Sequence, residues 1–229
     1  MRMDGTSARR HDHLKAWSAL PQIEMPQKAA LRALIADDHG SERSRSYDLL
    51  RTRMLPEVTE RGWTRIGVSQ ASPGPASSLT ALNLALSEAR RPDRHVLLID
   101  LDIAHQPVLA RFGQARAPAG PLFRACTVTP RLAFATVQAA PDLAAITLLS
   151  PQFQQALSEM IMGMAADVTI LHLPPCLSDD AGLAALPLVD TVLLTIDGRR
   201  DTAADLRRCE AHVTRHCPVL GLFLHNAEA

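Results

Sequence analysis

Five short runs rich in Val, Ile and Leu recur along the chain, each ending in polar residues: "TRIGVSQ", "RHVLLIDLD", "DVTILHLPP", "DTVLLTIDG" and "PVLGLFLHN". Between them lie stretches with helical periodicity, such as "SSLTALNLALSEARR", "SPQFQQALSEMIMGMA" and "DTAADLRRCEAHVTRH". A strand that is apolar at nearly every position has no solvent face, so both of its faces must be covered. The pattern therefore predicts an α/β fold: a doubly wound, mainly parallel sheet with helices on both faces. A further short strand is expected in "AAITLLS", and a helix in "RSYDLLRTRMLPEV", where Tyr47, Leu50 and Met54 share a helical face. Residues 1–41 are polar and interrupted by Pro21 and Pro26; they are expected to form a partly ordered extension with one short helix in "QKAALRALIADD". Residues 42–229 would then be a single α/β domain.

Composition narrows the function classes. The chain has 229 residues and 47% hydrophobic content, enough for one full-sized core. With 24 basic and 24 acidic residues there is no global field to attract nucleic acid or anionic lipid, so no nucleic-acid partner is expected. The N-terminus lacks an apolar signal core, and no run approaches the ~20 apolar residues that span a bilayer. Cys126, Cys176, Cys209 and Cys217 form no C-x-x-C pair. A cytoplasmic protein is expected.

In doubly wound sheets, ligands bind beyond the carboxyl ends of the strands. Here those ends carry Ala-Ser-Pro-Gly-Pro-Ala-Ser-Ser (71–78), Asp100 with Asp102, His172 followed by Pro174 and Pro175, and the pair His225–Asn226. The order of these pieces resembles the deviant P-loop ATPases of the MinD/ParA group. Within that group it is most similar to the bacterial tyrosine kinases (BY-kinases) of capsule and exopolysaccharide synthesis, the CpsD/CapB type. The resemblance rests on "YDLLRTRM", "PGPASSLTALNLA", "VLLIDLD", "TILHLPP" and "GLFLHN", and runs from about Ser44 to Asn226. It implies a P-loop NTPase-like fold, Mg-ATP as cofactor, and a site at Gly74, Pro75, Ala76, Ser77, Ser78, Leu79 and Asn226. It also implies Ser78 and Asp100 as Mg²⁺ ligands, Asp100 and Asp102 as the catalytic acidic pair, and His172 at the Walker B position.

Several of these positions depart from what the chemistry needs. A P-loop wraps consecutive backbone N–H groups around a phosphate, with a lysine on its β/γ oxygens and a Ser/Thr hydroxyl on Mg²⁺. The lysine position is Ser77, which carries no charge. The glycine before it is Ala76, for which a left-handed backbone would cost ~1 kcal/mol or more. Pro75 removes one N–H from the cradle. At the Walker B position His172 replaces a carboxylate, and imidazole is a poor ligand for hard Mg²⁺; a hydrogen-bonded structural histidine is the plainer reading. Asp100 and Asp102 are kept, and either serve catalysis or cap the next helix.

Three further features follow from the same resemblance or stand beside it. Tyr47 is the one tyrosine, so the C-terminal tyrosine cluster of BY-kinases has no counterpart. The family's ring-forming E-x-x-R-x-x-R maps to Arg45, Asp48 and Arg51, with charge exchanged at the first two; this disfavours the family ring and favours a paralogous partner, or is a solvated helix face. Cys209, His212 and His216 share a helical face with spacing compatible with zinc, but no second ligand cluster is visible, and a core cysteine with C-terminal histidines is the plainer reading.

The expected function is a catalytically degenerate BY-kinase-like protein, not an enzyme, that regulates or scaffolds polysaccharide assembly. Its partner would be the cytosolic face of a membrane chain-length or export protein, placing it peripherally at the inner face of the membrane, or a paralogous kinase; a homo-oligomer is also compatible. The alternative is an active ATPase or tyrosine kinase using Asp100/Asp102 with an atypical P-loop and an arginine from a neighbouring subunit in place of the lysine. A partition-type ATPase fits least, lacking a basic face and a terminal amphipathic helix.

Overall fold

The structure, a computed structural model, describes residues 17–23, 40–116 and 120–225. Seven strands form one sheet: β1 Arg65–Gln70, β2 Val96–Asp100, β3 Phe123–Thr129, β4 Leu132–Val137, β5 Val168–His172, β6 Thr191–Asp197 and β7 Val219–His225, in the order β3-β4-β2-β5-β1-β6-β7. All neighbouring pairs are parallel except β3 with β4. Among the described residues, these α-helices accompany them: α1 Glu42–Glu60, α2 Ala76–Ala89, α3 Pro107–Arg111, α4 Ala144–Leu149, α5 Pro151–Met164, α6 Asp180–Ala185 and α7 Ala203–Val213.

Both faces of the sheet are buried, which is why the central strands read as unbroken apolar runs. Along β2, Val96 and Leu98 enter a cluster with Tyr47, Met54, Leu82 and Phe134, under α1 and α2. The alternate residues Leu97 and Ile99 enter the opposite cluster with Phe153, Leu157, Leu186 and Val213. The period-two alternation thus sorts one strand's residues into two cores. β1 lies between β5 and β6, and β5 between β1 and β2. The carboxyl ends of β1, β2 and β5 are therefore adjacent at the point where the winding reverses, so side chains far apart in sequence meet there.

One expectation needs correction. "AAITLLS" is helix α4, not a strand. Ala144, Ala145 and Leu148 are buried while Ile146 and Leu149 are exposed, a spacing that suits one helical face and not strand alternation. Ser150 ends the segment and caps α5, its Oγ accepting from the Phe153 N–H at 3.1 Å. The β3–β4 hairpin was not anticipated. Its outer strand is only partly buried, so it lacks the continuous apolar pattern of the inner ones.

The helix expected in "QKAALRALIADD" lies outside the described residues. From the N-terminal segment, Trp17 is buried and donates Nε1–H to the Met164 carbonyl at 2.8 Å. Pro21 and Ile23 bond Thr127 of β3 through the backbone. Among the described residues, no helix is long and apolar enough to cross a membrane.

Candidate functional site

The loop between β1 and α2 closes around a side chain of its own chain. Gln70, the last residue of β1, donates from Nε2 to the carbonyls of Ser72 (2.6 Å) and Gly74 (2.9 Å). Its Oε1 accepts from the Ser77 N–H at 2.8 Å. The loop thus wraps a carboxamide, and a backbone donor that a phosphate would use is already taken. Gly74 has no left-handed φ; its lack of a side chain matters for space. A Cβ there would meet Gln70 Nε2 at 3.1 Å and Arg200 Nη1 at 3.3 Å.

Ala76 does not carry the expected strain. It is the first residue of α2 in ordinary right-handed geometry, and among the described residues positive φ occurs only at Gln106, Ala165, Gly62 and Gly113. Pro75 is the N-cap and offers no side-chain cap. Its carbonyl accepts from the Leu79 N–H (3.1 Å) and from the Ser78 hydroxyl (3.1 Å), so Ser78 is bonded back into its own first turn.

Behind the loop, the three strand ends meet through side chains. Ser77 Oγ is 3.0 Å from His172 Nε2, and His172 Nδ1 is 2.8 Å from Asp100 Oδ1. Asp100 also accepts from the Asp102 N–H (3.2 Å, Oδ1) and the Val108 N–H (2.9 Å, Oδ2). A carboxylate only accepts, so Nδ1 carries the imidazole proton and Nε2 faces the Ser77 hydroxyl as acceptor. All three side chains are buried, with Ser77, His172 and Asp100 no more than 2% exposed. Asp102 turns away, its Oδ1 accepting from the His105 N–H at 3.1 Å and lying 3.0 Å from His105 Nδ1.

These residues do not make a Mg²⁺ site. Three donors hold the Asp100 carboxylate, one of them the imidazole that stands where a second carboxylate would be needed. No group of three or more His, Cys, Asp or Glu suited to a metal occurs among the described residues. The zinc reading of Cys209, His212 and His216 is therefore corrected. Cys209 is buried and its thiol bonds that of Cys176, whereas His216 is exposed. Hydrogen bonds from Cys209 and Ser69 hold the Cys176 thiol below its ordinary pKa, against burial, and Cys209 is pushed up in turn.

Asn226 lies outside the described residues, but His225 before it reaches α2. Thr80 Oγ1 donates to the Ala76 carbonyl (2.9 Å) and so accepts from His225 Nε2–H. Burial pushes the His225 pKa down, with Asp197 opposing and Arg43 reinforcing. Asp48 and Arg51 are no solvated face: Arg51 Nη1 donates to Asp48 Oδ1 (3.2 Å) and to the Ser87 carbonyl (2.7 Å), and Ser87 Oγ donates to Asp48 at 2.6 Å. The pair fastens α1 to α2, while Arg45 is exposed.

Gln70 and Arg200 were missed in the sequence. A glutamine ending the strand ahead of a lysine-less loop was the available signal for Gln70; nothing pointed to Arg200.

No family model matches the chain, and no curated protein matches it significantly in sequence. Solved structures do match. The kinase domain of the Escherichia coli tyrosine kinase ETK superposes with a TM-score of 0.74 at 16% identity, covering 95% of each chain. The VpsO kinase domain gives 0.66 at 21% identity over 81% of this chain and 97% of the other. The BceF tyrosine kinase domain gives 0.66 at 18% identity over 96% and 97%. The fold is thus that of the BY-kinase domains, a P-loop NTPase-like α/β sheet.

Proposed function

We propose that the chain is a catalytically degenerate BY-kinase-like protein that acts by binding, as a regulatory or scaffolding component of exopolysaccharide or capsule biosynthesis and export. The observation that carries this reading is the filled loop: the Gln70 carboxamide occupies the turn and bonds the Ser77 N–H. Phosphoryl transfer depends on positioned positive charge around the transferring group. Here the lysine position is a buried serine, and the Walker B position is an imidazole committed to Asp100. Mg-ATP is therefore not a resident cofactor in this reading.

A binding role is supported by a groove of about 570 Å³ between α1 and the edge strand β7, lined by Leu50, Trp63 and Phe223 together with Ser46, Arg53 and Glu57. The partner is the cytosolic face of a membrane chain-length or export protein, or a paralogous kinase, and the chain works at the inner face of the membrane through it. The domain that does so spans residues 42–229, preceded by the extension 1–41.

The experiment is allelic replacement in the producing cell. Deletion reduces polymer output, and an Asp102→Asn allele restores it, because no phosphoryl transfer depends on that carboxylate. Failure of Asp102→Asn, at normal protein level, would overturn the reading. It would favour the second one, an active ATPase or kinase using Asp100 and Asp102, for which the Arg200 guanidinium beside Gly74 is the supporting cation.

A further inference from the structure

We propose that Ser77, His172 and Asp100 form a serine-nucleophile relay able to cleave small carboxylic esters, an activity separate from the scaffolding role. The geometry has the parts such chemistry needs. The hydroxyl is 3.0 Å from His172 Nε2, and the opposite ring nitrogen is 2.8 Å from Asp100. The carboxylate is itself fixed by the Asp102 and Val108 N–H groups, so it holds the ring in the tautomer whose Nε2 can take the serine proton. Ser77 sits in the first turn of α2, directly after a parallel strand and a tight loop. The chain order Ser, Asp, His is also that of nucleophiles carried on strand–turn–helix elbows.

An oxyanion donor is present as well. The N–H of a serine nucleophile is one of the donors that stabilise a tetrahedral intermediate. Here the Ser77 N–H already bonds a carbonyl oxygen, Gln70 Oε1, at 2.8 Å. The Gln70 carboxamide marks where a substrate carbonyl would lie, beside a nucleophile that is 2% exposed. That side chain, held by three hydrogen bonds, must leave its place before a substrate can bind.

The reaction balances without any cofactor. Ser77 Oγ bonds the acyl carbon as its proton passes to His172 Nε2; the ester C–O bond breaks and the alcohol leaves with that proton. Water then repeats the sequence on the acyl-serine, giving acid and free Ser77, so ester and water become acid and alcohol. Asp100 touches no substrate and is a positioning residue.

The test uses the full chain and a fluorophosphonate probe, whose phosphorus bonds Ser77 Oγ with loss of fluoride, read by peptide mass mapping. The expected result is an adduct on Ser77 in the wild type, formed faster in Gln70→Ala and absent from Ser77→Ala. General-base assistance is worth roughly 100-fold or more, so His172→Gln is expected to slow labelling by that factor. Absence of a Ser77 adduct in both the wild type and a cooperatively folded Gln70→Ala overturns the proposal, as does labelling that His172→Gln leaves unchanged. Should His172→Gln not fold, the pH profile of Gln70→Ala labelling decides. A rate that saturates with one deprotonation supports the relay, and a rate that only tracks hydroxide overturns it. Neither result bears on nucleotide binding, which calorimetry tests separately.

Discussion

Replacing His172 by alanine should be among the most damaging single changes to this fold, for reasons that can be apportioned. The imidazole is 1% exposed and donates to a carboxylate at 2.8 Å. A hydrogen bond to a charged group contributes about 1.5–3 kcal/mol, and truncating a buried side chain to alanine leaves a cavity that costs about 2 kcal/mol more. His172→Ala also strips Ser77 Oγ of its partner and leaves a void where three strand ends meet. The sum is taken as about 3–5 kcal/mol, which for a chain of this size lowers Tm by roughly 6–20 °C. Urea unfolding followed by far-UV circular dichroism measures it, with the midpoint falling and the slope unchanged. Ser77→Ala removes only a neutral bond and should cost about 1 kcal/mol. The double variant should cost less than the two single costs added, because the residues share one network. A His172→Ala loss below about 1 kcal/mol, or strict additivity with Ser77→Ala, would refute the network.

Other expectations are checked as directly. Burial raises the Glu88 pKa, with Arg91, Arg51 and Arg94 opposing, so its folded-state proton is held more tightly than in the unfolded chain. Glu88→Gln should therefore gain stability at pH 7 and lose that gain as the pH falls below the carboxylate range, a trend read from urea midpoints at several pH values. The His225 pKa is lowered, so the stability linked to its neutral form is present above the unfolded imidazole pKa and is lost as pH falls through the folded one. His225→Gln should flatten the acid limb of the stability profile below the unfolded imidazole pKa of about 6.5. A Cβ on Gly182 would lie 2.3 Å from the Pro175 carbonyl oxygen, so Gly182→Ala should cost about 1–3 kcal/mol through overpacking of the Pro-Pro turn, measured as a Tm shift. Burial raises the Cys126 and Cys217 thiols to about 11. Both should react with a disulfide reagent about 100-fold more slowly in the folded chain than in urea at pH 8.

The sheet was legible because its inner strands have two buried faces and so leave unbroken apolar runs. "AAITLLS" misled for the same reason: six apolar or small residues do not reveal their period until neighbours choose which of them to bury, and here Ala144, Ala145 and Leu148 were chosen. The edge hairpin hid because one partly exposed strand carries little pattern. At the site, the substitutions Ser77, Ala76 and His172 could be read one by one from their positions. Their mutual bonding could not, because strand order, not sequence distance, puts β1, β2 and β5 side by side. The expected strain at Ala76 failed since the loop curls around Gln70 without any left-handed residue. The plain reading of Asp100 as a helix cap describes one of its oxygens, bonded to Val108, while the other holds the histidine.

The central claim is that the phosphate loop is filled by the chain itself. Titrating the full-length protein with Mg²⁺-ATP in a calorimeter tests it most directly. The account predicts no saturable heat up to about 1 mM nucleotide, corresponding to binding weaker than about −4.1 kcal/mol. A saturable isotherm with a micromolar dissociation constant, about −8.2 kcal/mol, would contradict it.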